Sequence, residues 1–296
     1  MGPLILDRSQ REVILVTGAD ARTYLQGQIT ADVESLGEQR SIATLVLQPT
    51  GKVIAWGGIG SLDAATFVLD VEPGFASTVV DRLRRFLLRV DASVADPVMW
   101  TMVSARGSAD DDTAKAELDG LSAALAATGT SAVRRDVAWP GGVVGFDLVG
   151  AWPDAAPALP QPPDPQALAG LRIRSGVPVM ATEFDESLIP AELGVWFVDA
   201  AASFTKGCYV GQELVARIES RGSHTPRRLH VLAADGEIGV GEEVLDHAGD
   251  VVGHVTSAVG GSAVALLSRS VDAPCRLELR SGRAVEVSEP AAPGRG

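Results

Sequence analysis

An α+β fold carrying a C-terminal β-barrel is what this chain of 296 residues predicts. Three observations lead there. Through the first 222 residues, apolar runs of strand length alternate with stretches of helical period. Several of these strands follow one another through short turns, and neither GxGxxG after a strand nor a GxxxxGK phosphate loop occurs, which argues against a doubly wound parallel sheet. Beyond Gly222 the helical period stops, leaving short apolar runs separated by glycine and acidic residues. The division predicted is 1–222 for the body and 223–296 for the barrel.

In chain order, Glu12–Val16 reads as a strand closed by Thr17 and Gly18. Asp20–Gln28 reads as a helix, with Tyr24 and Leu25 on one apolar side and Asp20 at the positive end of the dipole; Gly27 weakens it or marks its end. Ile42–Leu47 and Val53–Ile59 form a hairpin turning at Pro49–Lys52, where Gly51 accommodates a positive φ. Thr66–Val71 is another strand. Val79, Leu83, Phe86, Leu87 and Val90 then follow the helical period, with Arg82, Arg85 and Arg89 opposite, either a solvated face or a site for RNA or another anion.

Met99–Ala105 reads as a strand, and Asp110, Asp111 and Asp112 cap a helix carrying Leu118, Leu121 and Leu125 rather than forming a metal site. Val133–Val137 and Val143–Val149 make a further strand pair. Trp152–Pro165 holds six prolines and is read as a linker or an extended surface excursion. Gln166–Gly176 resumes a helical pattern, and Leu229–Ala233, Val251–Thr256, Ala263–Leu267 and Cys275–Leu279 supply the barrel.

Composition removes several function classes. Lys+Arg total 25 against 38 Asp+Glu, a net charge of −13 that disfavours nonspecific binding to nucleic acid or an anionic membrane. The two cysteines, Cys208 and Cys275, exclude a four-cysteine zinc or iron–sulfur site within the chain. No apolar run reaches the roughly 18 residues of a membrane span, and the N-terminus lacks the basic start and long apolar run of a signal peptide, so the expected location is the cytoplasm, with no membrane partner.

The segment richest in chemistry is Phe204–Arg217, FTKGCYVGQELVAR. Gly207 and Gly211 let the backbone turn sharply around Cys208, and the Lys206 ammonium favours its thiolate if the side chain folds back. Tyr209 offers a flat face and a hydroxyl, while Gln212 and Glu213 supply both hydrogen-bond senses at the start of a helix running through Arg217. The set suits a heteroaromatic ligand with an amide-like edge; equally, it suits a tight turn around a structural thiol. The four histidines, His224, His230, His247 and His254, all lie downstream, and no Cys–His pairing is readable.

Lys206–Glu213, KGCYVGQE, resembles the signature of the YgfZ family of folate-binding proteins, relatives of the aminomethyltransferase (T-protein) of the glycine cleavage system. Leu25-Gln26-Gly27-Gln28 with Thr30 and Asp32 is similar to that family's N-terminal motif. Gly51-Lys52-Val53, Arg172-Ile173 with Gly176 and Pro178, Ile189-Pro190, Ser203-Phe204 and Val215-Ala216-Arg217 follow in order. The resemblance spans about residues 10–222. It implies an aminomethyltransferase-like folate-binding fold of two ferredoxin-like modules and a C-terminal β-barrel. Tetrahydrofolate, or a one-carbon-substituted derivative, is implied near the central opening, with Gln26, Gln28, Tyr209, Gln212, Glu213, Glu192 and Arg217 as contacts. Arg174 and Ser175 stand where the family often has Glu and Ala, which makes Glu192 the nearer acidic group.

The function implied is that of an accessory factor for assembly or repair of iron–sulfur enzymes, supporting tRNA methylthiolation, rather than a stand-alone enzyme. Its partners are a reduced folate and iron–sulfur client enzymes. Cys208 is the candidate functional thiol, Lys206 its modulator, and Cys208 a candidate ligand of a cluster shared with a partner, with no metal held within the chain. Two alternatives stand beside this: a folate-dependent aminomethyl or one-carbon transferase, and an RNA-binding module contacting tRNA directly through Lys206, Arg217, Arg221, Arg227 and Arg228.

Overall fold

The computed structural model describes residues 4–152, 164, 166–220 and 225–291, with the side chains of residues 217–220 outside that description. Most of the proline-rich expectation, together with Arg221 and His224, therefore lies outside the described residues. The body holds β1 (Ile5–Thr17), α1 (Ala21–Gln28), β2 (Arg40–Leu47), β3 (Val53–Ser61), β4 (Thr66–Val71), α2 (Ala76–Arg84), β5 (Ser93–Val94), β6 (Val98–Ser108), α3 (Asp112–Ala126), β7 (Ala132–Trp139) and β8 (Val143–Gly150). Four short helices follow: α4 (Ala167–Arg174), α5 (Met180–Glu183), α6 (Val195–Ala201) and α7 (Gln212–Ser220), with a 3-10 turn at Pro190–Leu193 between α5 and α6.

The body strands form one sheet in the order β4-β3-β2-β7-β8-β6-β1-β5, and an added antiparallel β1–β4 pairing closes seven of them into a ring. Strand β1 spans both of its long partners, pairing with β6 through Ile5–Val13 and with β4 through Glu12–Thr17. Its register is set by a switch in patterning. Val13, Ile14 and Val16 are buried where helices and strands cover both faces, whereas Asp7, Ser9 and Arg11 alternate toward one side in its first half. Helices α1 and α2 seal one flank over Leu25, Ile29, Phe67, Leu69, Val79 and Leu83. Helix α3 seals another over Val103, Leu118, Leu125, Phe146 and Leu148. Asp111 is the N-cap of α3, its carboxylate accepting from Thr113 N at 3.0 Å and Ala114 N at 3.2 Å, as capping rather than metal binding requires.

The barrel closes in the order β10-β11-β12-β9-β14-β13, from β9 (Arg227–Ala233), β10 (Glu243–Leu245), β11 (Val251–Val259), β12 (Ser262–Ser268), β13 (Cys275–Leu279) and β14 (Ala284–Ser288). It has a core of its own around Leu232, Val244, Ala265, Leu267, Leu279 and Val287. The opposite faces of β9 and β12 present Leu229 and Val264 to the body, where they join Leu45, Ile173, Trp196, Phe197 and Tyr209 in a shared core. Ser257 Oγ on β11 donates to the buried Glu183 carboxylate at 2.6 Å, adding a charged hydrogen bond to that junction.

Candidate functional site

A cavity of about 880 Å³ is lined by six strands of the ring, β1, β2, β3, β6, β7 and β8, together with α4 and α6. Alternation places Asp7, Ser9 and Arg11 of β1, and Met102, Ser104 and Arg106 of β6, along its wall. Helix α4 contributes Leu168 and Arg172, and α6 contributes Trp196, beside Trp56 of β3 and Trp139 of β7. Apolar rings and a few charged groups in a volume of this size are what small-molecule sites present.

The floor is an alternating chain of buried charges. Arg11 Nε meets Asp70 Oδ1 at 2.9 Å, Asp70 Oδ2 meets Arg135 Nη1 at 3.1 Å, Arg135 Nη2 meets Asp147 Oδ2 at 3.2 Å, and Asp147 Oδ1 meets Arg106 Nη2 at 2.6 Å. Ser104 Oγ donates to the same Asp147 oxygen at 2.7 Å, and Arg106 Nη1 donates to Phe146 O at 2.6 Å. Burial alone would raise Asp147, but Arg106, Arg135 and the Ser104 hydroxyl outweigh it and hold the carboxyl well below its usual range. Asp7 has weaker compensation, and burial raises it despite Arg106. Gly58 makes room for this chain, because a Cβ there would collide with Arg135 Nη1 and Asp70 Oδ2.

Three buried polar atoms of lining residues have no hydrogen-bond partner: Ser41 Oγ, Arg106 Nε and Trp196 Nε1. Buried polar groups are ordinarily satisfied, so these three atoms leave unused hydrogen-bonding capacity on residues beside the cavity. The Arg106 guanidinium also lies 4.4 Å from the Trp139 ring centroid. The residues present therefore fit a heteroaromatic ligand bearing hydrogen-bonding groups.

The residues expected from sequence stand elsewhere. The expected folate contacts Gln26, Gln28, Glu192, Tyr209, Gln212 and Glu213, and the expected thiol Cys208 with Lys206, all stand outside the lining of this cavity. The reason is that most of their polar groups are engaged locally. Gln26 donates to Asp32 at 2.8 Å and accepts from Val33 N at 2.7 Å; Gln28 accepts from Arg82 Nη1 at 3.0 Å. Tyr209 is buried in the core shared with the barrel, and Tyr209 N donates to Gln212 Oε1 at 3.3 Å. Glu213 is exposed, and the Arg217 side chain lies outside the described residues. Glu192, 1% exposed, accepts from Arg227 Nε at 3.3 Å; burial raises its pKa and Arg227 opposes the rise.

Lys206 is likewise committed. Its Nζ donates to Ile29 O at 2.9 Å and Ala31 O at 2.6 Å, pinning the signature loop to the end of α1 instead of folding back on the thiol. Burial lowers its pKa to about 8, with Asp32 opposing. Val210 N completes the attachment by donating to Gly27 O at 3.2 Å. Cys208 remains exposed on this fastened loop. Of the basic cluster considered for RNA, Arg227 pairs with Asp185 at 2.7 Å and Arg228 with Glu289 at 3.4 Å, while Arg221 and the Arg217 side chain lie outside the described residues. Among the described residues no three His, Cys, Asp or Glu side chains converge as a metal ion would need, and no helix is long and apolar enough to cross a membrane.

Sequence reasoning missed the cavity's charges. The signal available was a charged residue inside an otherwise apolar strand: Asp70 in TFVLDV, Asp147 in VVGFDLVG and Arg106 in VSARG.

Comparison with known proteins adds relationship. No family model matches the chain. It is 28% identical over 224 residues to the tRNA-modifying protein YgfZ of Edwardsiella ictaluri, covering 71% of this chain and 65% of that protein. It is 30% identical over 225 residues to the mitochondrial iron–sulfur cluster assembly factor IBA57 homologue of Pyricularia oryzae, covering 72% of this chain and 53% of that one. The chain thus spans just under two thirds of the first relative and about half of the second. Among solved structures, the glycine cleavage system aminomethyltransferase T of Bartonella henselae superposes with a TM-score of 0.73 at 16% identity, over 98% of this chain and 88% of that chain. That likeness establishes an aminomethyltransferase-type fold.

Proposed function

We propose, from the premise that this chain belongs to the YgfZ family and is related to the glycine-cleavage aminomethyltransferase, that it holds a reduced folate in the ring cavity and serves iron–sulfur enzymes as an accessory factor. One observation carries the ligand half of this reading: three orphaned buried polar atoms, Ser41 Oγ, Arg106 Nε and Trp196 Nε1, belong to residues around an aromatic cavity of about 880 Å³. Trp56, Trp139 and Trp196 would hold a pterin and its linker; the carboxylates of a glutamate tail would have to compete for Arg40 with Asp136 and for Arg172 with Glu183, 3.5 Å away. A bound tetrahydrofolate supplies a one-carbon carrier; the chain's own residues bind it, orient it and exclude water.

The service to iron–sulfur enzymes, including support of tRNA modification, rests on the relatives' names and on the exposure of Cys208; a cytoplasmic setting belongs to the same proposal and rests on the amino-acid sequence alone. A thiol on a loop held by Lys206 and Val210 suits presentation to a client, as a nucleophile or as one ligand of a cluster shared with it. The same reading divides the chain into a body, 1–222, and a barrel, 223–296. It takes the body as two ferredoxin-like modules, which the repeated order strand, helix, strand, strand in β1-α1-β2-β3 and β6-α3-β7-β8 supports. A one-carbon transferase is the second reading; the half-buried Asp7 carboxyl in the cavity wall favours it.

Anaerobic calorimetry with tetrahydrofolate tests the ligand. Saturable binding is expected, with Trp196→Phe weakening it several-fold through loss of one donor. Absence of saturable binding would remove folate from the reading. Transfer of a methylene group in a stopped assay would move the assignment to the transferase.

A further inference from the structure

The arginine row of α2 does not behave as one face. Arg84 pairs with Asp96 at 2.8 Å and donates to Val94 O, and Arg85 and Arg89 are exposed. Arg82, only 6% exposed, lies under the surface. Its Nη1 donates to Gln28 Oε1 at 3.0 Å, and its guanidinium carbon stands 4.3 Å from the Phe86 ring centroid. Its Nε and Nη2 are buried with no partner. Among the described residues no carboxylate pairs with it, whereas the buried Arg11, Arg106 and Arg135 each meet an aspartate.

Nothing nearby supplies the missing charge. The Tyr24 hydroxyl donates to Leu83 O at 2.6 Å, and burial pushes the phenol up to about 12 against the pull of Arg82, so it is neutral at ordinary pH. Arg85 adds a second positive charge to the same neighbourhood. A buried cation with two unmet donors is costly unless an anion joins it. Nε and Nη2 are also the edge of the guanidinium whose N–H bonds run parallel, the edge that takes two oxygens of one oxyanion.

We propose that Arg82, with Gln28 and Arg85, forms a phosphate-binding site at the α1–α2 junction, outside the ring cavity. Two cations without an acid suit a phosphate better than a single carboxylate. Phe86, in the turn after α2 and 42% exposed, lies over the guanidinium and is the group that yields to admit the ligand. The last turn of α1 joins this site to the signature loop: Gln28 holds Arg82 while its neighbours Gly27 and Ile29 hold Val210 and Lys206. A motif glutamine that stands outside the folate cavity thereby acquires a role.

The test follows the arginine Nε–Hε resonances of the full chain, labelled at arginine Nε, during titration with inorganic phosphate, chloride at matched ionic strength, and a short 5′-phosphorylated oligonucleotide. Saturable displacement of the Arg82 resonance by phosphate but not chloride is expected. Phe86→Ala should bind at least as tightly, and Arg82→Gln, followed through the Arg85 resonance, about tenfold or more weakly. Tighter binding of the oligonucleotide than of phosphate would assign the source as nucleic acid, and equal binding would assign free phosphate. If neither the wild type nor Phe86→Ala shows a saturable Arg82 shift, the proposal is overturned. Should Arg82→Gln fail to fold, the Arg82 resonance in these two proteins decides the matter alone. Tetrahydrofolate binding serves as an independent measurement, because neither variant touches the cavity.

Discussion

Cys208 is exposed, whereas Cys275 sits half-buried in β13, where burial, Asp272 and Glu286 raise its pKa. Alkylation near pH 8 should therefore label Cys208 several-fold faster than Cys275, read by mass spectrometry after a short pulse of iodoacetamide. Equal rates would mean that the loop shields the thiol. The difference comes from access and from the raised Cys275 pKa, not from Lys206, whose ammonium is spent on the carbonyls of Ile29 and Ala31. Lys206 carries its own pH signature. Its pKa falls from 10.5 to about 8 on folding, so between those values the unfolded chain binds the extra proton and the group's contribution to stability grows as pH rises. Urea unfolding at pH 8 and pH 10 should show the wild type gaining on Lys206→Gln; a constant difference would leave the ammonium freely solvated.

Hairpin β2–β3 was legible because its two apolar runs bracket a turn that needs a positive φ, and Gly51 stands at φ +83°. Helix α2 was overdrawn. Its apolar period continues to Val90, yet the helix stops at Arg84 because Phe86 N and Leu87 N turn back on Leu83 O and Arg84 O, and Arg89 takes φ +59°. Strand β10 was not legible because it is three residues long, whereas β14 carries a readable alternation, Val285 and Val287 buried with Glu286 and Ser288 exposed, confined to only five residues. The cavity was hidden for a different reason: Arg11, Asp70, Arg135 and Asp147 come from four strands, and only ring closure brings them together. Gly58 permits that meeting. Gly58→Ala should cost about 3–5 kcal/mol in urea unfolding by breaking the buried Asp70–Arg135 pair. Gly120→Ala, in α3 with open space at its Cβ, should instead gain up to about 1 kcal/mol.

At the scale of the molecule, the two parts depend on each other unequally. The barrel is closed and has its own core, so residues 225–291 expressed alone should fold cooperatively. The body alone would uncover Trp196, Phe197 and Tyr209 where Leu229 and Val264 had lain, and should aggregate or bind a hydrophobic dye. A monomeric, dye-silent body would refute the shared core.

The same closure orders events during synthesis. Strand β14 pairs with β9 as well as β13, so the barrel stays open until residues 284–288 have been made, more than fifty positions after β9 begins. The body's uncovered aromatic surface waits for the same moment. A nascent chain that stalls within the last described strands would therefore expose the body's core and an unclosed sheet together, and would depend on a chaperone until translation resumed.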